Sequence, residues 1–352
     1  MKLNTKNLGT GFLYFYIHYV TELVCFFVLG KYMESTPVMW LLFFTYDMLA
    51  FVPQGVIGYI SDKFPKIPFG LMGLGLLGAA LVLQNTVPLP FLSLTVLCLG
   101  NAFIHVNGAE VTLRTSNGSL SHSAIFVSGG SFGVISGKLL AKTDIPFWIL
   151  LFVIVSAIPF VILAQMYLKK ATAENKTPCK AFRHVNPKAN SVLIIVLAVI
   201  VVAVRGYMGY GIPTSWDKTT MQTVFLFVSM GIGKAAGGIL ADLFGVKRVA
   251  LLSVLFALPL LMFGDNHMFI SLFGVMLFSM TMSITLSLLV SVLPEAPGLA
   301  FGLTTIGLFI GTAPVFFYKI TSLTANCIML SVMTAICLVC LIVSVRKDGV
   351  NE

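Results

Sequence analysis

The chain has 352 residues, of which 58% are apolar and 10% charged, and a mean hydropathy of +0.98. One soluble core inside a polar shell cannot bury that much apolar surface, so a water-soluble fold is excluded and an integral membrane protein is expected. The net charge of +9 does not point to nucleic acid, because most bases sit in short connections between apolar runs and form no basic face.

A first apolar run, 9 to 32, follows Lys2 and Lys6 as a signal peptide would. It is longer than a signal peptide's apolar region and carries His18 and Glu22, so it is expected to stay as a span. Eleven further runs are long enough to cross a bilayer: 37 to 61, 67 to 86, 89 to 107, 122 to 142, 145 to 168, 191 to 213, 220 to 243, 249 to 264, 267 to 293, 297 to 318 and 322 to 345. None alternates apolar with polar residues, so the class is all-α, with twelve transmembrane helices. Five cysteines, Cys25, Cys98, Cys327, Cys337 and Cys340, lie in these runs and only Cys179 lies in a polar loop, so no disulfide framework is expected.

Placing both termini in the cytoplasm puts fifteen Lys and Arg on the inner side. Only Lys31, Lys142, Lys218 and Lys319 are then outside. The positive-inside rule therefore sets the orientation in a cell (inner) membrane. The polar, basic segment 169–190 separates six spans from six and reads as a cytoplasmic linker between an N-terminal half, 1–168, and a C-terminal half, 191–352.

The halves carry a repeat. Gly58 and Asp62 in "GVIGYISDKFPK" recur 180 residues later as Gly238 and Asp242 in "GGILADLFGVKR". Gly129 and Gly133 in the fifth span likewise match Gly307 and Gly311 in the eleventh. The second turn, through Gly238, Asp242, Gly245, Lys247 and Arg248, resembles the loop between the second and third helices of each half in the major facilitator superfamily. The first keeps Gly58, Asp62 and Lys63 but has Pro65 at the second glycine. A weaker similarity, through "GNAFIHV" and "FVSGGSFGVISG", is to fosmidomycin-resistance-type efflux permeases. The resemblance implies two six-helix pseudo-symmetric halves, with helices 1 and 7 lining a central cavity and helices 5 and 8 packing across the outer gate. On physical grounds the two aspartates are suited to accept hydrogen bonds from a neighbouring helix start or to pair with a base across the seam. State bias is expected to lean more on Asp242, in the intact copy, than on Asp62.

Ionisable groups inside a bilayer are costly, and each is a candidate for function. His18 and Glu22 lie one turn apart in the first span and, with Tyr14, form a polar stripe expected to face the cavity. Asp47 is in the second span; Lys138, Arg205 and Lys234 are in the fifth, seventh and eighth. Two readings fit. In one, Arg205, Lys234 and Lys138, with Tyr14 and His18, hold an anionic or amphiphilic solute, while Glu22 or Asp47 carries a coupling proton. In the other, the charges are structural or gating pairs, Glu22 with Arg205 foremost. His105 is placed at the end of the fourth span as a structural residue. No metal constellation is expected beyond the His18 and Glu22 pair, and no cofactor, nucleotide or nucleic-acid site. A monomeric, proton-coupled transporter is expected rather than an enzyme; a lipid flippase, a drug efflux pump and a transport-dead receptor or scaffold are the alternatives.

Overall fold

The computed structural model describes residues 9–34, 36–87, 89–174, 179–180, 182, 190–211, 219–264, 266–318 and 322–344. Within them twelve helices are long and apolar enough to cross a membrane: α1 Gly9–Met33, α2 Met39–Lys63, α3 Phe69–Thr86, α4 Pro90–Thr115, α5 Ser121–Leu140, α6 Phe147–Lys170, α7 Ser191–Gly209, α8 Thr220–Phe244, α9 Val246–Phe263, α10 Met268–Val292, α11 Pro297–Phe316 and α12 Leu323–Ser344. Irregularities have local causes. Pro53 lacks the amide that would continue the ladder and divides α2 into Met39–Phe51 and Pro53–Lys63. The last turn of α1, Leu29–Met33, is a π-turn, and α11 ends in a 3-10 turn holding Pro314.

Two boundaries differ from the sequence reading. The fourth span was expected to end at 107, yet α4 continues to Thr115, because its polar residues find partners inside the protein. Asn107 accepts from the Tyr14 hydroxyl, Glu110 from Ser61, and Thr115 exchanges a hydrogen bond with Thr10. The sixth helix continues to Glu174, into the segment read as linker. Most of the remaining linker lies outside the described residues, but Cys179 is buried and its N–H donates to Pro294 O at 2.7 Å.

The halves, α1–α6 and α7–α12, are built alike. In the first, Gly129, Gly133 and Gly137 of α5 lie against the carbonyls of Phe15, Tyr19 and Leu23 on α1. In the second, Gly307 and Gly311 of α11 lie against Val199 and Ala203 on α7. Glycine is required there because a Cβ would land on backbone, and removing it lets the helices close to dispersion contact. Four helices, three apart in the chain, turn large apolar side chains outward: Met72 and Val82 on α3, Phe152 and Val155 on α6, Leu252 and Phe256 on α9, Val332 and Val339 on α12. In a membrane these contact acyl chains. The halves meet through two equivalent pairs, α2 with α11 and α5 with α8.

Candidate functional site

At the end of the molecule that carries the linker, the two halves cap each other. The Asp62 carboxylate, at the end of α2, accepts from the N–H groups of Gly298 and Leu299 at 3.0 and 2.8 Å, at the first turn of α11. The Asp242 carboxylate, at the end of α8, accepts from the N–H groups of Leu120 and Ser121 at 2.8 and 2.9 Å and from the Ser119 hydroxyl, at the start of α5. Each anion thus satisfies orphan amides at a positive helix end of the opposite half. Gly58 and Gly238 permit the approach: a Cβ on Gly58 would strike the Gly298 carbonyl, and one on Gly238 would meet Leu120 and Ala124. Gly245 turns α8 into α9 at φ 92°, a left-handed conformation open to glycine.

The two copies are held differently: Asp242 accepts three hydrogen bonds from the opposite half and Asp62 two, and Asp62 is held within its own half by Arg114 as well, at 3.3 Å. Arg114 also pairs with Glu110 at 3.1 Å and donates to Glu295 O across the seam. Lys63 rests over the rings of Tyr59 and Phe64, and Lys247 and Arg248 make no ion pair among the described residues. Glu110 and Arg114 belong to this machinery although composition did not single them out; their i, i+4 spacing at a helix end was the available signal.

Deep in the N-terminal half lies a second cluster. His18 Nε2 is 3.8 Å and His105 Nε2 3.4 Å from Glu22 Oε1, and all three residues are buried. His18 Nδ1 is 2.9 Å from Phe126 O, and His105 Nδ1 is 2.9 Å from Asn101 O. A carbonyl can only accept, so Nδ1 carries hydrogen in both rings and both Nε2 atoms are turned to the carboxylate. Asn101 donates to Glu22 Oε1 at 3.0 Å and to the Tyr46 hydroxyl at 3.1 Å. Gly130 leaves room for the His18 ring, which a Cβ there would strike.

This corrects several expectations. His105 is not a residue of the helix end but a partner of His18, ring centroids 4.4 Å apart. The expected pair of His18 and Glu22 is in fact a trio: His18, Glu22 and His105 bring three ligand-type atoms within 4.8 Å of one another. The stripe on α1 faces α4 and α5 rather than an open cavity, and the Tyr14 hydroxyl is committed to Asn107. The basic side chains nearest Glu22 are the two imidazoles, not Arg205.

Arg205 on α7 and Lys234 on α8 approach from the other half. Lys234 lies within electrostatic reach of both Arg205 and Glu22. Neither base has a carboxylate partner among the described residues, and Arg205 Nε is buried without a hydrogen bond. Asp47 Oδ2, buried on α2, is also unpartnered and within reach of Glu22's charge. Lys138 stands apart, over the rings of Phe26 and Phe227 at 5.7 and 5.5 Å. It lines a cleft of ≈ 700 Å³, mouth included, with Glu34, Lys142 and Thr223, at the end opposite the linker.

Two pseudo-symmetric six-helix halves, joined through α2 with α11 and α5 with α8, are the architecture of the major facilitator fold, and the resemblance read from the turns at Asp62 and Asp242 holds. The chain is 27% identical over 314 residues to an uncharacterised MFS-type transporter, YfnC, of Bacillus subtilis (strain 168), covering 76% of this chain and 73% of that one. Among solved structures it is similar to the human organic anion transporter MFSD10 (TETRAN), with a TM-score of 0.69, 13% identity and coverage of 97% of this chain and 100% of that one. It is similar also to the transporter FucP in its outward conformation, with a TM-score of 0.56, 16% identity and coverage of 95% and 97%. FucP is described as an E. coli fucose:proton symporter. No family model matches the chain.

Proposed function

We propose that the chain is a secondary-active transporter that moves a small anionic or amphiphilic solute across the cell membrane by alternating access, coupled to protons. The observation that carries this reading is the asymmetry at the seam. One half contributes two cations, Arg205 and Lys234, without a carboxylate of their own; the other contributes a carboxylate shared by two imidazoles. Both side chains are half-buried, and cations set within a membrane span without a counter-charge are costly unless something with negative charge visits them. A carboxylate, phosphate or sulfonate fits a guanidinium and an ammonium side by side. Glu22, flanked by His18 and His105, with Asp47 nearby, is the proton carrier in this reading.

The names of two structural neighbours, an organic anion transporter and a proton symporter, are consistent with both parts. With the linker end in the cytoplasm, as the distribution of bases favours, the reciprocal aspartate caps close the inner side and the cleft at Lys138 and Lys142 opens outward. That state would receive solute from outside, and the two lysines would raise the local concentration of anions at its mouth. A lipid substrate would need a sideways opening. Phe44 of α2 packs on Phe309 and Phe316 of α11 and on Phe317 just beyond it, which narrows one such route and favours a water-borne solute.

A thermal-shift screen of purified protein against anionic, zwitterionic and neutral solutes at two pH values tests the reading, since a ligand of the folded state raises its stability by mass action. Anions should stabilise wild type and leave Arg205→Met unmoved. Equal stabilisation of both by a neutral amphiphile would replace the anion reading with a drug or lipid substrate.

A further inference from the structure

We propose that His18, Glu22 and His105 form a binding site for one first-row divalent transition-metal ion, an assignment that goes beyond the transport reading and does not depend on it. Two imidazoles with one carboxylate are a donor set suited to Zn2+, Co2+ and Fe2+. The spacing agrees. Donors about 2.0–2.1 Å from a tetrahedral ion stand roughly 3.3 Å from one another. The Nε2 atoms of His105 and His18 lie 3.4 and 3.8 Å from the same Glu22 oxygen and all three donor atoms lie within 4.8 Å of one another, close enough for side-chain rotation to bring them onto one ion.

The surroundings prepare the same atoms. Each Nδ1–H is held by a backbone carbonyl, Phe126 O or Asn101 O, which fixes the tautomer whose Nε2 lone pair is free to ligate. The Asn101 amide holds the Glu22 carboxylate. Gly130 on α5 makes space for the His18 ring, and Gly133, where a Cβ would come within 2.8 Å of Glu22 Cβ, makes space for the carboxylate's stem. Three protein ligands leave a fourth position for water or an oxygen of a solute.

The charged groups around the site are Asp47 of α2, and Lys234 of α8 with Arg205 behind it. Lys234 opposes a cation, so it sets the affinity below what the ligands alone would give. Protons compete for the same nitrogens, so a bound ion and a protonated cluster exclude each other.

The test uses tag-free, metal-stripped full-length protein in detergent, titrated with Co2+ and followed by visible absorption, then back-titrated with Zn2+. One equivalent of Co2+ should bind per chain, with an absorption band that Zn2+ abolishes, and the affinity should fall between pH 7.5 and pH 5.5. His18→Gln and His105→Gln should each weaken binding by about tenfold or more. Lys234→Met should tighten it several-fold, a response that no site elsewhere would show. His267→Gln, an exposed position, should leave it unchanged. Thermal unfolding without metal checks that each variant folds, and Zn2+ should raise the midpoint of wild type and Lys234→Met but not of His105→Gln. Wild-type affinity in a folded His105→Gln protein, or binding lost in His267→Gln, would overturn the assignment. Neither result would touch the thermal-shift outcome at Arg205, so the two readings fail separately.

Discussion

Arg205 separates stability from function at a single position. A guanidinium whose Nε is buried without an acceptor bears the cost of leaving water and receives little in return within the protein. Arg205→Met should therefore fold at least as stably as wild type in thermal unfolding while transport falls to background; Lys234→Met should behave the same way. Normal counterflow by both variants would remove the anion site. Glu22 predicts a different split. Gln at this position keeps the hydrogen bond from Asn101 but cannot exchange a proton, so Glu22→Gln should still exchange solute across a membrane and fail to accumulate it against a pH gradient. Gradient-driven uptake surviving in both Glu22→Gln and Asp47→Asn would assign the coupling elsewhere. The His18 and Glu22 pair was legible in the sequence because a helix puts i and i+4 on one face. His105 was not legible. Its place beside them depends on the depth and rotation of α4 against α1, which no spacing along one chain segment encodes.

Helix packing here is written in glycines, and the same substitution should have opposite effects at two of them. Gly133 and Gly75 are both helical, on α5 and α3. A Cβ on Gly133 meets the Tyr19 carbonyl and the stem of Glu22, whereas one on Gly75 meets nothing within 4 Å. Gly133→Ala must push α5 from α1 and should cost about 1–3 kcal/mol, the usual penalty of overpacking. Gly75→Ala relieves only the backbone entropy of glycine and should gain roughly 0.5–1 kcal/mol. Unfolding midpoints in detergent check the pair; equal shifts would mean that the α1 and α5 contact is looser than described. The paired glycines of α5 and α11 were readable as a repeat because their spacing survives in both halves. The length of α4 was not readable. Residues 105–115 are polar enough to end a hydropathy window, and only their buried partners, Tyr14, Ser61 and Thr10, make the helix continue.

For the molecule as a whole, the question is what holds one end shut, and the two reciprocal caps give a calculable answer. Hydrogen bonds to a charged group contribute about 1.5–3 kcal/mol, and a carboxylate at a helix N-terminus typically 0.3–1 kcal/mol through the helix dipole. Neutralising one carboxylate while keeping its shape should remove about 1–2 kcal/mol from the closed state. Asp62→Asn with Asp242→Asn should then remove roughly 2–4 kcal/mol, a shift of about 30- to 1000-fold toward opening at the linker end, with each single variant near half of that in free energy. Cys179 is a built-in reporter. It is tied to Pro294 O at that end, and burial, opposed in part by the Arg114 guanidinium and reinforced by Asp62 and Glu110, pushes its thiol from an ordinary 9.0 up to about 12. The thiolate is the reacting form. In wild type, maleimide labelling at Cys179 should be slow at pH 7 and rise with pH between about 6.5 and 8, because burial favours the protonated, unreactive thiol. Opening returns the thiol toward 9.0, which multiplies the thiolate present at pH 7 and exposes it to reagent. Peptide-level mass spectrometry of the labelled protein should show faster modification of Cys179 in the double variant than in either single one. Labelling of the double variant at the wild-type rate would mean that the caps do not hold this end closed.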